Sequence, residues 1–128
     1  MRVLLDTHAF IWFLAGDARL RAPARRHVAD PANEKFLSIA SVWEMAIKLS
    51  LGKLRLRDTL AEVVDQGTKS NAINLLGISK DHAVRVASLP WHHRDPFDRL
   101  LVAQAIEDDL TLLAGDAAFD DYGVNRIW

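Results

Sequence analysis

The chain opens Met1-Arg2-Val3-Leu4-Leu5-Asp6-Thr7-His8-Ala9-Phe10-Ile11-Trp12-Phe13-Leu14-Ala15-Gly16, and this stretch decides the fold. Val3 to Leu5 is an unbroken apolar run of strand length, a carboxylate follows it at once, and Ala9 to Ala15 has the length of a short helix that stops at Gly16. A strand that is apolar at every position, rather than at alternate ones, is a strand covered on both faces. Similar short runs recur at Phe36–Ile39, Ile73–Leu76, Leu110–Leu113 and Val124–Trp128, with longer segments of helical period between them. Strands alternating with helices imply an α/β architecture around a mostly parallel sheet.

The helices are marked by their ends. Pro23 suits the first turn of a second helix running to about Asp30, and Ser41 followed by Glu44 resembles a capping box opening a third that stops at Gly52. Asp58 caps a fourth helix to about Gln66, and Ser79 caps the segment Lys80 to Leu89, which Pro90 ends. Asp95-Pro96 is a strong start signal for a helix reaching about Asp108, with proline at the first helical position.

Composition narrows the chemistry. In 128 residues there are 17 acids against 16 Lys and Arg, and no cysteine, so disulfide scaffolds, zinc–cysteine sites and thiol catalysis are excluded. The near-neutral balance argues against nucleic-acid binding by bulk positive charge but leaves room for a local basic face. The longest uncharged stretches, Thr7–Gly16 and Ser70–Ser79, are about half of the roughly 20 residues a membrane helix needs. Asp6 interrupts what would otherwise look like the apolar part of a signal peptide. The expectation is therefore one domain spanning 1–128, cytoplasmic, with no membrane association. No linker, repeat or low-complexity tract divides the chain.

Four carboxylates fall where this architecture brings residues together. Asp6 follows the first strand, Glu44 lies in the first turn of the helix after the second strand, Asp98 lies in the first turn of the Asp95 helix, and Asp116 lies just past the Leu110–Leu113 strand. In open parallel sheets the carboxyl edge near a reversal of strand order is where ligands bind. Each acid alone has a plain structural reading as a turn residue, a capping-box partner or a complement to a helix dipole. Their common placement on one edge argues for more. Four negative charges in a partly buried crevice need a cation, and all-oxygen ligation selects Mg²⁺ or Mn²⁺. Such an ion serves phosphodiester hydrolysis by activating water and stabilising the in-line displacement.

Competing signatures are missing. The chain has no G-x-x-x-x-G-K-[ST], G-x-G-x-x-G, G-x-S-x-G or H-E-x-x-H. An aspartyl-phosphate phosphatase would carry a second Asp two residues after the first strand's Asp, where this chain has His8, and a phospho-receiver would carry an adjacent acidic pair. The loop His92-His93-Arg94 leads into the Asp95 helix, which makes His93 a candidate phosphate contact, as is Arg99. Trp12, Trp43, Trp91 and Trp128 read as core or interface residues rather than as stacking platforms, Trp43 above all because it lies inside an amphipathic helix. Arg19, Arg21, Arg25 and Arg26, with Lys48, Lys53, Arg55 and Arg57, form two basic groups that are either solvated faces or positive walls around the acidic centre.

Val3-Leu4-Leu5-Asp6-Thr7-His8, Ser41-Val42-Trp43-Glu44, Asp95-Pro96-Phe97-Asp98-Arg99-Leu100-Leu101-Val102-Ala103-Gln104-Ala105 and Leu112-Leu113-Ala114-Gly115-Asp116 resemble, in order and spacing, the successive motifs of PIN-domain ribonucleases. The match is best to the VapC-type toxins of type II toxin-antitoxin systems, and it covers nearly the whole chain. The resemblance implies a three-layer α/β/α PIN-like fold with about five strands and a Mg²⁺- or Mn²⁺-dependent endoribonuclease acting on RNA. It also implies a VapB-like antitoxin and a homodimer, with a higher assembly when the antitoxin is bound. Carried across, Asp6, Glu44, Asp98 and Asp116 match the catalytic, metal-binding quartet. Thr7 and Ser41 match supporting hydroxyls, Asp95 looks like the cap behind Asp98, and Gln104 is a further supporting candidate. Ala114 departs from the pattern, since PIN domains often carry Thr or Ser there, and this leaves Asp120 and Asp121 as alternatives to Asp116. The rival readings are a catalytically inactive PIN-like module that binds RNA or protein, and an aspartyl-phosphate receiver or phosphatase.

Overall fold

The computed structural model describes residues 1–128. In chain order the elements are β1 (Arg2–Leu5), α1 (Thr7–Ala15), α2 (Ala22–Ala29), β2 (Glu34–Ser38), α3 (Ile39–Ser50) and α4 (Leu60–Ser70), followed by β3 (Ile73–Leu76), α5 (Lys80–Val86), α6 (Pro96–Glu107), β4 (Thr111–Leu113), a 3₁₀ turn (Ala117–Tyr122) and β5 (Arg126–Ile127). The strands form one sheet in the order β3-β2-β1-β4-β5, and every pairing is parallel. The α/β/α reading of the sequence is thus the fold.

Side-chain alternation along β1 explains why the strand reads as continuously apolar. Val3 and Leu5 point to one face, where they meet Phe10 of α1, Ala24 and Val28 of α2, Met45 of α3 and Val64 of α4. Leu4 points to the other, where it joins Leu101, Val102 and Ala105 of α6 and Phe119 of the 3₁₀ turn. Each fully buried side chain of this size contributes about 1.5–3 kcal/mol. The central strand therefore ties two half-cores together.

The topology also fixes where a site can be. From β1 the chain builds outward through β2 to β3, then returns to place β4 on the other side of β1, so the order reverses between β1 and β4. The Asp6 amide donates to the Leu113 carbonyl at 3.0 Å and fastens the carboxyl end of β1 to β4 at that reversal. α3 packs against both α1 and α6, which brings their opening turns to the same edge.

Several boundaries differ from the sequence reading, each for a local reason. The cap of α3 is Ser38, whose hydroxyl accepts from the Ala40 amide, so Ser41 and Glu44 lie inside the helix and form no capping box. The cap of α4 is Thr59 rather than Asp58, and the helix continues to Ser70. α5 opens, as expected, on Ser79, in a reciprocal capping box with His82, but ends at Val86, earlier than expected. Asp95 caps α6 as expected, accepting from the amides of Phe97 and Asp98. The strand expected at Val124–Trp128 shrinks to Arg126–Ile127.

Gly67 of α4 faces α1, where a Cβ would stand 2.7 Å from a methyl of Leu14 and 3.0 Å from the tip of the buried Phe10 ring. Alanine normally stabilises a helix interior over glycine by about 0.5–1 kcal/mol. Overpacking here costs about 1–3 kcal/mol and outweighs that gain. Gly67→Ala is therefore expected to lower stability in urea unfolding; a more stable variant would show that the α1–α4 contact is looser than described.

Candidate active site

Asp6 ends β1 and caps α1, with Oδ1 accepting the Ala9 amide at 2.7 Å. The geometry that satisfies the helix start also holds the carboxylate at the sheet's reversal point, and the residue is only 8% exposed. Glu44, in the second turn of α3, is buried too: Oε1 accepts from the Thr7 hydroxyl at 2.6 Å and Oε2 pairs with Lys48 at 2.8 Å. Asp98 sits in the first turn of α6 and is half-buried. Asp116 follows β4 and caps the 3₁₀ turn through the Ala118 amide at 2.9 Å. With Asp95, these carboxylates line one crevice of about 480 Å³. His8, Trp12, Arg19 and Lys48 form part of its wall, and Gly115, Phe119 and Trp128 close it. At Gly115 a Cβ would stand 3.0 Å from the Trp128 ring, so any larger residue there must displace that ring.

The electrostatics follow from that convergence. Burial raises the Asp6 pKa to about 7; the Ala9 hydrogen bond works against the rise, and the charges of Asp98, Glu44 and Asp116 add to it. Asp98 is raised to about 6, first by burial and then by Asp95, with His93 opposing and Glu44 and Asp116 adding. Burial also lowers the pKa of His8, and the neighbouring Lys48 charge acts in the same direction. Such pairs of acids held near neutrality are an active-site signature when they share a cleft.

The acidic crevice fits a hard divalent cation. Its donors are carboxylate oxygens, and their mutual repulsion is relieved by positive charge. Ser41 does not line the crevice; its buried hydroxyl has no partner. No three acidic or imidazole side chains close into a finished cage.

The remaining expected residues divide clearly. Thr7 orients Glu44. His93 reaches the acidic edge, with Nε2 3.4 Å from an Asp116 oxygen, its ring stacked on Phe119, and its amide donating to the Tyr122 hydroxyl at 2.7 Å. Arg99 does not line the crevice: it is buried, and three of its five N–H groups are spent on the carbonyls of Pro90, Val86 and Leu89. Gln104 does not support the acids either. Six residues along α6 from Asp98 it faces away, fully buried, and its amide donates to the Gly77 carbonyl at 3.3 Å. Asp120 is engaged with Arg126 and, like Asp121, lies outside the crevice lining. Ala114 spends its carbonyl on Arg126. Trp43 is 58% exposed rather than core, packed edge-on against Phe97 at 5.2 Å. Lys48, named in the sequence only as one of a basic group that could wall the acidic centre, stands on the crevice wall and pairs with Glu44, a partnership that its place four residues after Glu44 would have found.

Comparison with known proteins supports the same architecture. Residues 3–125 match the family model of the PIN domain. The structure of VapBC2 from Rickettsia felis bound to a DNA fragment from its promoter superposes with TM-score 0.70 at 14% identity, covering 99% of this chain and 98% of that one. VapBC-1 from nontypeable Haemophilus influenzae gives TM-score 0.67 at 14% identity, covering 99% and 97%. DNA-bound VapBC from Salmonella typhimurium gives 0.65 at 12% identity, covering 99% and 97%. At these identities the likeness is one of fold. No curated protein matches the sequence.

The raised Asp6 pKa has a consequence for stability. A carboxyl at about 7 in the folded chain and near 3.8 when unfolded favours folding fully below about pH 3.8, and that contribution is lost as pH rises to about 7. Asparagine keeps the cap on α1 and removes the charge. In metal-free buffer at neutral pH, Asp6→Asn is expected to exceed the parent in stability by about 1–3 kcal/mol, with the advantage gone below pH 4. Urea titrations across this range measure it, and a less stable variant at pH 7 would contradict the assigned burial of charge.

Proposed function

The chain belongs to the PIN domain family, and from that premise we propose that it is a Mg²⁺- or Mn²⁺-dependent endoribonuclease and the toxin of a VapBC-type toxin-antitoxin pair. The observation that carries the reading is the crevice itself: four segments far apart in sequence deliver Asp6, Glu44, Asp98 and Asp116 to the carboxyl edge of β1 and β4. Asp6 and Asp98 are the residues that would hold the ion, with Glu44 and Asp116 acting through water. When bound, a divalent ion activates water and stabilises charge on the scissile phosphate.

The chain's own groups prepare that chemistry. Thr7 and Lys48 occupy one oxygen each of Glu44 and fix its orientation. Asp95 holds the first turn of α6 so that Asp98 faces the crevice. Lys48 and Arg19 on the crevice wall supply positive charge for a phosphate backbone. His93, expected as a phosphate contact, is packed against Phe119 and Tyr122 and borders Asp116 instead. The single domain 1–128 contains the whole site.

For the partner, the relatives are toxin-antitoxin complexes, which supports a VapB-like antitoxin for this chain. A second cavity of about 450 Å³ runs along α1, lined by Phe10, Ile11, Leu14, Leu56 and Val63 with Arg55 and Arg57 at its side. An apolar segment bearing acidic residues suits it, and the same α1 surface is available for a homodimer. No helix is long and apolar enough to cross a membrane, consistent with our placing the protein in the cytoplasm.

The deciding experiment is RNA cleavage by purified protein. Parent protein is expected to cut RNA with Mg²⁺ or Mn²⁺, to stop in EDTA and to recover on adding the ion back. Asp6→Asn is expected to lose at least about a thousandfold in rate while remaining folded. Undiminished cleavage by Asp6→Asn would sink the assignment, and metal-indifferent RNA binding without cutting would favour the inactive-module reading.

A further inference from the structure

Trp91 is the most exposed large apolar side chain of the molecule, at 77%, and the acidic crevice does not account for it. The ring is not loose. It lies over the Arg99 guanidinium, whose carbon is 3.8 Å from the ring centroid. Arg99 is itself buried and anchored on the carbonyls of Val86, Leu89 and Pro90, so the indole rests on a fixed cationic base. One ring face is used in this way, and the residue's exposure leaves the rest of the ring to solvent.

Its position is constrained by the chain. Trp91 and His93 are two residues apart, so their Cα atoms stand at most about 7 Å from each other, and His93 Nε2 is 3.4 Å from an Asp116 oxygen. A rigid, exposed aromatic surface therefore stands on the same short loop that delivers His93 to the acidic edge. The flanking Pro90, His92 and Arg94 are exposed, and no other exposed large apolar residue lies in this loop. An isolated aromatic face bordered by imidazole and guanidinium groups lacks the contiguous apolar patch of a protein-docking surface. It has what a nucleobase and its phosphate need, a stacking plane beside positive charge.

We propose that Trp91 is a base-stacking platform that seats one nucleotide of single-stranded RNA beside the acidic crevice, with Arg99 as its positioning residue. The proposal rests on the ribonuclease reading and adds to it how the strand is held. It also gives Arg99 a role that needs no contact with substrate.

Binding of fluorescein-labelled oligouridylate and oligoadenylate dodecamers to the Asp6→Asn protein in Mg²⁺, followed by anisotropy, tests it. Adding Trp91→Ala is expected to weaken binding about tenfold or more, Trp91→Leu about as much, and Trp91→Phe no more than about threefold, all with unchanged melting temperature. A single abasic nucleotide moved along the dodecamer is expected to weaken the parent at one position and to make no difference there to the Trp91→Ala protein. Equal binding by the parent and Trp91→Ala overturns the platform and leaves the ribonuclease reading standing. Failure of the Asp6→Asn parent itself to bind either RNA, together with absence of cleavage by the unmutated chain, removes both. Retained RNA binding by Trp91→Ala with loss of a co-purifying protein partner would assign the surface to protein docking and overturn the proposal.

Discussion

Asp6 has two functions on one carboxylate, and most of the site depends on their coincidence. Its Oδ1 accepts the Ala9 amide and starts α1, while its backbone amide ties β1 to β4 at the point where strand order reverses. A charge placed there for the sake of the helix is also withdrawn from water and set near three other acids. Capping alone is satisfied by a neutral serine or asparagine. Retaining an aspartate at a buried position, with its pKa driven to about 7, is costly unless something positive shares the crevice.

The surrounding residues divide the cost unevenly. Glu44 is largely cared for by the protein, with Thr7 on one oxygen and Lys48 on the other. Asp6 and Asp98 are not, and they are the two acids whose pKa values are pushed furthest from the ordinary range. On the proposed reading, this asymmetry separates the orienting Glu44 from the two carboxylates that would take an external cation. It also resolves the near balance of 17 acids and 16 bases in the whole chain. Five of the 17 acids are gathered at one point, and Lys48 and Arg19 stand on the walls around it.

The fold was legible because the strands are buried on both faces, which turns period-two alternation into continuous apolar runs that are easily seen at Val3–Leu5 and Leu110–Leu113. The acidic quartet was legible for a related reason: parallel topology sends every strand end to one edge, so position in the sequence predicts position in space. What failed depended on which way a helix faces. Ser41 and Glu44 have capping-box spacing, but Ser38 intercepts the cap three residues earlier. Arg99 and Gln104 sit in the most recognisable motif of the chain, yet the first is spent on backbone carbonyls and the second faces α5. Trp43 and Trp91 read as core or interface by residue type, and their exposure excludes the core. The pairing of Glu44 with Lys48 needed only helical spacing to be found.

The central claim is that this crevice is a divalent-cation site built on Asp6 and Asp98. Calorimetric titration of metal-free protein with Mn²⁺ near pH 7 tests it most directly, because the readout is the ion itself and depends on no choice of RNA. The parent is expected to bind with release of protons, since carboxyls that are partly protonated there must give them up. Asp98→Asn is expected to bind at least about tenfold more weakly. A parent that takes up no Mn²⁺, or an Asp98→Asn protein that binds it as well as the parent does, would contradict the account.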